Sequence, residues 1–351
     1  MNETHDIFLR AHPVILDKPK DEVRPHSKKP PKWAQYALVF DCESRIDATQ
    51  ELTFGFYRLL ELKGNAYELT EEGAFFDDDL PAKERKILEA YMRTAVPDVK
   101  LFPPRFPLYS RSEFIKKIFY KYARKGAMIG GFHICFDLAR LARKWPKGRK
   151  KEWSFVLLED SKGENPLYPR VQIDPLDSKK SFINFAWEWI PESKKTKQKV
   201  TPSKINESRF LDLRTLLWAL FNKSYSLKRA CDNEKGPFKG KHMPQKIEHK
   251  PTGRVNPEEI EYAYQDVRCT AALLNAAKQD FDLHPIELSP CQAYSPASIA
   301  KSYLEAMNIK KPAQKFKVPN EILGIAMESY MGARSEAWLR HTEVEVPFVY
   351  F

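Results

Sequence analysis

Four acidic side chains stand where chemistry can be concentrated: Asp41 and Glu43 in "LVFDCES", Asp137 in "GGFHICFDLARLA" and Asp266 in "EYAYQDVRCT". Each is tied to a regular element. The first pair closes an apolar, strand-like run. Asp137 follows a second apolar run and opens a helical pattern, at the strand–helix edge where α/β sheets bind ligands. Asp266 lies one helical turn after Tyr262. Residues two apart on a strand share a face, so Asp41 and Glu43 point to one site while Cys42 points away. Tyr262 and Asp266, four apart on a helix, also share a face. Carboxylates anchored in this way suggest one site for divalent metal ions. Two such ions, about 3.5–4 Å apart, activate a water and stabilise the leaving oxygen of a phosphodiester. A phenol beside a metal-bound carboxylate can orient or deprotonate that water. Plainer readings stand beside each: D-x-E ends many strands, an Asp before a helix is often an N-cap, and Asp266 can be a solvated helix residue.

The elements that must position these groups are legible from periodicity. "YALVFDC", "LTFGFYRLLEL" and "AYELTEE" read as three consecutive strands with turns at "SRIDATQE" and "KGN". "PAKERKILEAYMRTA" reads as a helix, and "SRSEFIKKIFYKYARKG" as a clearer one with a Ser start and Gly126 as a stop. Strand "AMIGGF" follows, and its glycines Gly130 and Gly131 either let the backbone approach a bound nucleotide or end a tight strand. Residues 146–208 change character: "SFVLLED", "PRVQIDP" and "FINFAWEWI" are β-like, between lysine-rich turns, and read as an inserted hairpin or small sheet. Trp153, Phe185, Trp187 and Trp189 there either stack on bases or pack the insertion onto the core. In "SRFLDLRTLLWALFNKSYSLKRACD" a strand leads to Asp212, then a helix, then a Ser-Leu turn into a second helix. The N-cap role is favoured for Asp212 over metal binding. "NEKGPFKGKHMPQKIEHKPTG" is a Gly/Lys/His loop of the kind that contacts substrate, and His242 and His249 in it show no metal-ligand spacing. The helix from Pro257 carries apolar residues on both faces (Ile260, Tyr264, Val267, Ala271 and Leu274; Cys269 and Leu273), as a sandwiched helix does.

Length and composition bound the rest. The 351 residues suffice for two domains or one large domain with insertions. Residues 1–32 form a basic, Pro-rich arm. No run reaches a membrane span, and the N-terminus lacks a signal-peptide pattern. Five cysteines without a C-x-x-C pair (Cys42, Cys135, Cys231, Cys269, Cys291) suggest reduced thiols, no zinc site and a cytoplasmic location. The net charge of +11 fits a polyanionic partner as well as a lysine-rich surface, and does not separate DNA from RNA.

In order and spacing, D-x-E, a glycine-containing run ending F-D, and Y-x-x-x-D resemble the DEDDy group of 3′–5′ exonucleases. This group includes the proofreading domains of family B DNA polymerases. The resemblance implies a ribonuclease H-like α/β fold, a mixed sheet flanked by helices, over residues 33–290. It implies that Asp41, Glu43, Asp137 and Asp266 bind two Mg²⁺ or Mn²⁺ ions, and that Tyr262 positions the water at the 3′-terminal phosphate of single-stranded DNA. Gly131, His133 and Phe136 around the second motif, with Lys228 and Arg229 in the basic "NKSYSLKRA", are expected to contact the nucleic acid. His133 departs from the family, which usually has Asn there.

Residues 291–351 resemble the passage from exonuclease into polymerase palm. "SYMGARSE" (Tyr330, Gly332, Ala333, Arg334) matches a tyrosine, two small residues and an arginine, and "PFVYF" matches the strand that runs into the first palm aspartate. The palm carboxylates, fingers and thumb are missing from the sequence. The expectation is an exonuclease that either acts alone or is the N-terminal part of a split or truncated family B-like polymerase, with a separately encoded palm subunit as a candidate partner. The alternatives are an RNA-trimming exonuclease similar to ribonuclease D, against which the palm-like passage argues, and a non-catalytic nucleic-acid-binding or assembly subunit.

Overall fold

The computed structural model describes residues 32–99, 106–146, 153–160, 163–164, 168–175, 180–186, 209–309 and 319–329. The apolar run before Asp41 forms β1 (Tyr36–Ser44), which pairs antiparallel with β2 (Leu52–Lys63), and β2 in turn with β3 (Ala66–Phe76). Gly64, at φ +58°, supplies the left-handed residue of the tight β2–β3 turn. Helix α1 (Ala82–Thr94) follows, then the short edge strand β4 (Leu108–Ser110), parallel to β3. Ser110 starts the next helix with a reciprocal capping box to Glu113. That helix runs through α2 (Arg111–Phe114), a π turn (Ile115–Phe119) and α3 (Tyr120–Arg124), and stops before Gly126, at φ +76°.

The chain then enters β5 (Met128–Gly131), parallel to β1, and α4 (Ile134–Leu141). The inserted region is β-rich where it is described. β6 (Trp153–Phe155), β9 (Val171–Pro175) and β10 (Ser181–Phe185) form a three-stranded sheet, and β7 (Glu159–Asp160) and β8 (Gly163–Glu164) form a two-stranded ladder. Phe185 is buried in the core, whereas Trp153 is exposed. Trp187 and Trp189 lie outside the described residues, as do the N-terminal arm up to residue 31 and the palm-like stretch from residue 330.

β11 (Phe210–Asp212) adds parallel to β5 and completes a mixed six-stranded sheet of order β11-β5-β1-β2-β3-β4. Helices α5 (Leu213–Phe221), α6 (Leu227–Ala230), α7 (Pro257–Asp282), α8 (Pro296–Ala306) and α9 (Asn320–Ser329) follow. Alternation along β1 and β2 divides the core between two faces. Ala37, Val39, Phe54 and Phe56 lie in one buried cluster with α7 and α5, where Phe56 meets Tyr264 at 5.2 Å between ring centroids. Leu38, Phe40 and Tyr57 share the other with α2, α3 and α4, where the Phe75 and Phe114 rings stack at 4.1 Å. The protein is therefore α/β, with a mixed sheet flanked by helices. Helix α7 is sandwiched between the sheet and α1, α5 and α6, which explains its apolar residues on both faces. Among the described residues, no helix is long and apolar enough to cross a membrane. The five cysteines are free thiols.

Candidate active site

The acidic residues gather where β1 ends. Asp41 and Glu43 lie near the end of that strand on the face that Ala37 and Val39 turn to α7, while Cys42 between them is buried in the opposite cluster. Behind Asp41 there is no room for another side chain. A Cβ on Gly55 would lie 2.4 Å from the Asp41 carbonyl and 2.4 Å from the Phe75 ring. Gly131 ends the neighbouring β5, and a Cβ there would sit 3.5 Å from Asp137 Oδ2. Asp137, in the first turn of α4, is buried and accepts a hydrogen bond from the Cys42 amide at 2.9 Å. This contact ties α4 to the strand carrying the first two acids.

Asp266 and Tyr262 project from α7, a helix started by Asn256, whose side chain accepts from the Glu259 amide, with Pro257 in the first turn. Between them lies Lys246, whose Nζ donates to the Tyr262 hydroxyl at 2.9 Å and to Asp266 Oδ2 at 2.5 Å. The other Asp266 oxygen, Oδ1, is buried without a hydrogen-bond partner.

The electrostatics record the crowding. Burial, then the charge of Asp266, pushes Asp41 up to about 7, with Lys246 opposing. Burial raises Glu43 well above its usual value, and Asp41, Asp266 and Glu259 add to it. For Asp137, burial comes first, then Asp41, against the Cys42 amide. Asp266 is raised by burial despite the ammonium beside it. Burial alone would lower Lys246, but the Asp266 charge and the bonds to Asp266 and Tyr262 raise it, so it stays charged. Tyr262 is raised by burial and then by Asp266, which keeps the phenol protonated. Acids from three elements thus share one buried region, where Asp266 acts on Asp41 and Glu43, and Asp41 and Glu43 act on Asp137.

Asp212 is the N-cap of α5, its carboxylate accepting from the Thr215 amide at 2.8 Å. It is held at about 6 by burial, against that amide bond, and its charge adds to the rise of Asp137. His133 is the residue before α4. Burial, then Arg214, lowers its pKa, and its Nδ1 lies 3.4 Å from an Arg214 Nη. Phe136 is 41% exposed, with the Arg140 guanidinium 4.3 Å from its ring centre. Lys228 and Arg229 on α6 are exposed and form surface ion pairs with Glu248 and Asp232.

A cavity of about 390 Å³ opens beside the acids, lined by Phe132, His133, Arg214, Tyr225, Ser226 and Lys246, among others. It combines two cations, hydroxyls and aromatic rings, and Arg214 Nε is buried there without a partner. Sequence reasoning singled out neither Arg214 nor Lys246. His249 was set aside in the sequence; its ring lies 5.4 Å from that of Tyr262, and its Nε2 is 3.6 Å from Glu259.

Among the described residues, no group of three or more His, Cys, Asp or Glu side chains is placed to hold a metal ion. Two of the acids are turned to internal partners, Asp137 to the Cys42 amide and Asp266 to Lys246. The donors are carboxylate oxygens, the type that hard cations such as Mg²⁺ and Mn²⁺ take, and Asp266 Oδ1 is buried without a hydrogen-bond partner. No protein-family model matches the chain, and no curated protein matches it.

Proposed function

We propose that the protein is a metal-dependent 3′–5′ exonuclease of ribonuclease H-like architecture that trims single-stranded DNA. The observation that carries this reading is the meeting of Asp41, Glu43, Asp137 and Asp266 in one buried region, where burial first, and neighbouring carboxylates after it for Asp41, Glu43 and Asp137, raise their proton affinities. Three consecutive antiparallel strands, continued on the β1 side by two parallel ones, support the ribonuclease H-like assignment. The 3′–5′ direction and the preference for DNA rest on the motif resemblance.

In this reading the four acids hold two divalent ions. When bound, the ions would lower the pKa of a water and neutralise charge on the scissile phosphate. The cavity receives the end of the strand. Arg214 offers its guanidinium to a phosphate, and Tyr225 and Phe132 offer ring faces to a base. His133, its pKa lowered by burial and then by Arg214, presents a hydrogen-bonding ring beside that guanidinium. Tyr262, one turn from Asp266, accepts from Lys246, and its hydroxyl would position the attacking water. Attack on phosphorus forms the new P–O bond and breaks the bond to the 3′ oxygen. The products are a nucleoside 5′-monophosphate and a shortened strand ending in a 3′-hydroxyl.

The test is hydrolysis of the same single strand labelled at either end, with Mg²⁺, Mn²⁺ or EDTA. The expected result is a metal-dependent ladder from the 5′ label and immediate release of mononucleotide from the 3′ label. The reverse pattern would overturn the polarity. Absence of cleavage with DNA still bound would replace the enzyme by a binding or assembly subunit.

A further inference from the structure

Lys246 reaches the acids from a strap, residues 243–253, that has no regular secondary structure. The strap is nevertheless fixed on both sides of the lysine. Before it, Met243 exchanges backbone hydrogen bonds with the Asn233 amide at 2.9 and 3.1 Å. The Pro244 carbonyl accepts from Cys269 Sγ at 3.3 Å and the Gln245 carbonyl from Gln265 Nε2 at 2.7 Å. After it, Arg45 donates to the Gly253 carbonyl at 2.8 Å, and Glu259 accepts from the Thr252 and Gly253 amides. Gly253, at φ +68°, makes the turn into α7, where a Cβ would lie 2.7 Å from the Ile46 amide nitrogen. None of these anchors involves the Lys246 side chain, so the strap delivers its ammonium without depending on the bonds that ammonium makes.

At its destination, the Lys246 ammonium faces Asp41, Glu43 and Asp266, while Arg140 lies toward Asp137. The ammonium occupies Asp266 Oδ2 and the Tyr262 hydroxyl and leaves Oδ1 bare. An oxygen engaged by an ammonium at 2.5 Å is less available to a second cation, and a positive charge inside the cluster repels an incoming divalent ion. The stem is flexible, and the same side chain borders the cavity shared with Arg214. A displaced ammonium therefore has room to move.

We propose that Lys246 is a positioning residue that acts as the counter-ion of Asp266 and Tyr262 while the acids hold no metal, and that it yields Asp266 when a divalent cation enters. The inference rests on the reading of the acids as metal ligands. It implies that metal loading is an exchange of cations at Asp266, and that the lysine keeps Tyr262 and Asp266 in register until it occurs.

The test uses the full chain and Mn²⁺ alone, titrated calorimetrically into wild type, Lys246→Met and Lys246→Arg, with near-ultraviolet circular dichroism to verify folding. Lys246→Met should bind Mn²⁺ about tenfold more tightly, equivalent to about 1.4 kcal/mol. Lys246→Arg, which keeps the charge, should stay near wild type. Equal or weaker binding by folded Lys246→Met overturns the exchange while leaving the metal site standing. Absence of Mn²⁺ binding by all three overturns both. A second measurement needs no substitution: acylation of Lys246 by a succinimidyl ester, read by mass spectrometry with and without Mn²⁺. The exchange predicts several-fold greater labelling of Lys246 in Mn²⁺; unchanged or reduced labelling contradicts it.

Discussion

Replacing Asp41 by Asn should stabilise the metal-free protein even as it removes activity. In the fold, burial and the neighbouring Asp266 lift the Asp41 carboxyl from the usual 3.8 to about 7. The unfolded chain then releases this proton at lower pH than the folded chain, so stability falls as pH rises from about 4 to about 7 and is level above that. At about 1.4 kcal/mol per tenfold change in proton affinity, the upper limit of the loss is about 4 kcal/mol. Asp41 is only half-buried and shares its field with Asp266, so solvent screening and coupling bring the expected effect to about 1–2 kcal/mol. An Asn never ionises and escapes this loss. Urea unfolding in EDTA, followed by tryptophan fluorescence, should show a small gap between the two proteins at about pH 4.5, widening to about 1–2 kcal/mol in favour of Asp41→Asn at about pH 8. In Mn²⁺ at a hundredfold excess over Kd the order should reverse, because binding adds about 2.7 kcal/mol to wild type alone. An Asp41→Asn protein less stable than wild type at the higher pH in EDTA, or a gap that ignores pH, would refute the electrostatic account of the cluster.

Other substitutions separate its parts. Gly55→Ala forces a Cβ against the Asp41 carbonyl and the Phe75 ring, and should cost about 2–3 kcal/mol in urea unfolding. Arg214→Ala should weaken binding of a single strand and reduce the salt dependence of log K by about 0.7, the value for one lost phosphate contact, measured by fluorescence anisotropy. Asp212→Asn keeps an N-cap for α5 and should leave Mn²⁺-dependent cleavage within about threefold of wild type. A total loss would make Asp212 a metal ligand.

The parts of the site that were legible in the sequence are those fixed locally. Strand alternation put Asp41 and Glu43 on one face and Cys42 on the other, and helical spacing put Tyr262 beside Asp266. Ser110, Asp212 and Gly126 marked element ends through capping and turn chemistry that needs only near neighbours. The parts that were not legible depend on the path of the chain through space. Lys246 is one of many lysines in a loop without periodicity, and its place is decided by anchors as distant as Arg45 and Cys269. Arg214 reaches the cavity because β11 adds beside β5, a pairing of segments far apart in sequence. Lys228 and Arg229 were chosen for their charge, yet each finds a nearby acid at the surface. A basic segment does not reveal which of its cations are already paired.

In the proposed function, the acids from β1, α4 and α7 act as one metal-dependent centre for phosphodiester hydrolysis. Its most direct test is single-turnover cleavage of a 5′-labelled single-stranded DNA in Mn²⁺ by wild type, Asp41→Ala and Asp266→Ala, each verified as folded. The expected result is stepwise shortening by wild type, suppressed by EDTA, and none by either variant. Full activity in both variants, or wild-type cleavage that survives EDTA, would contradict it.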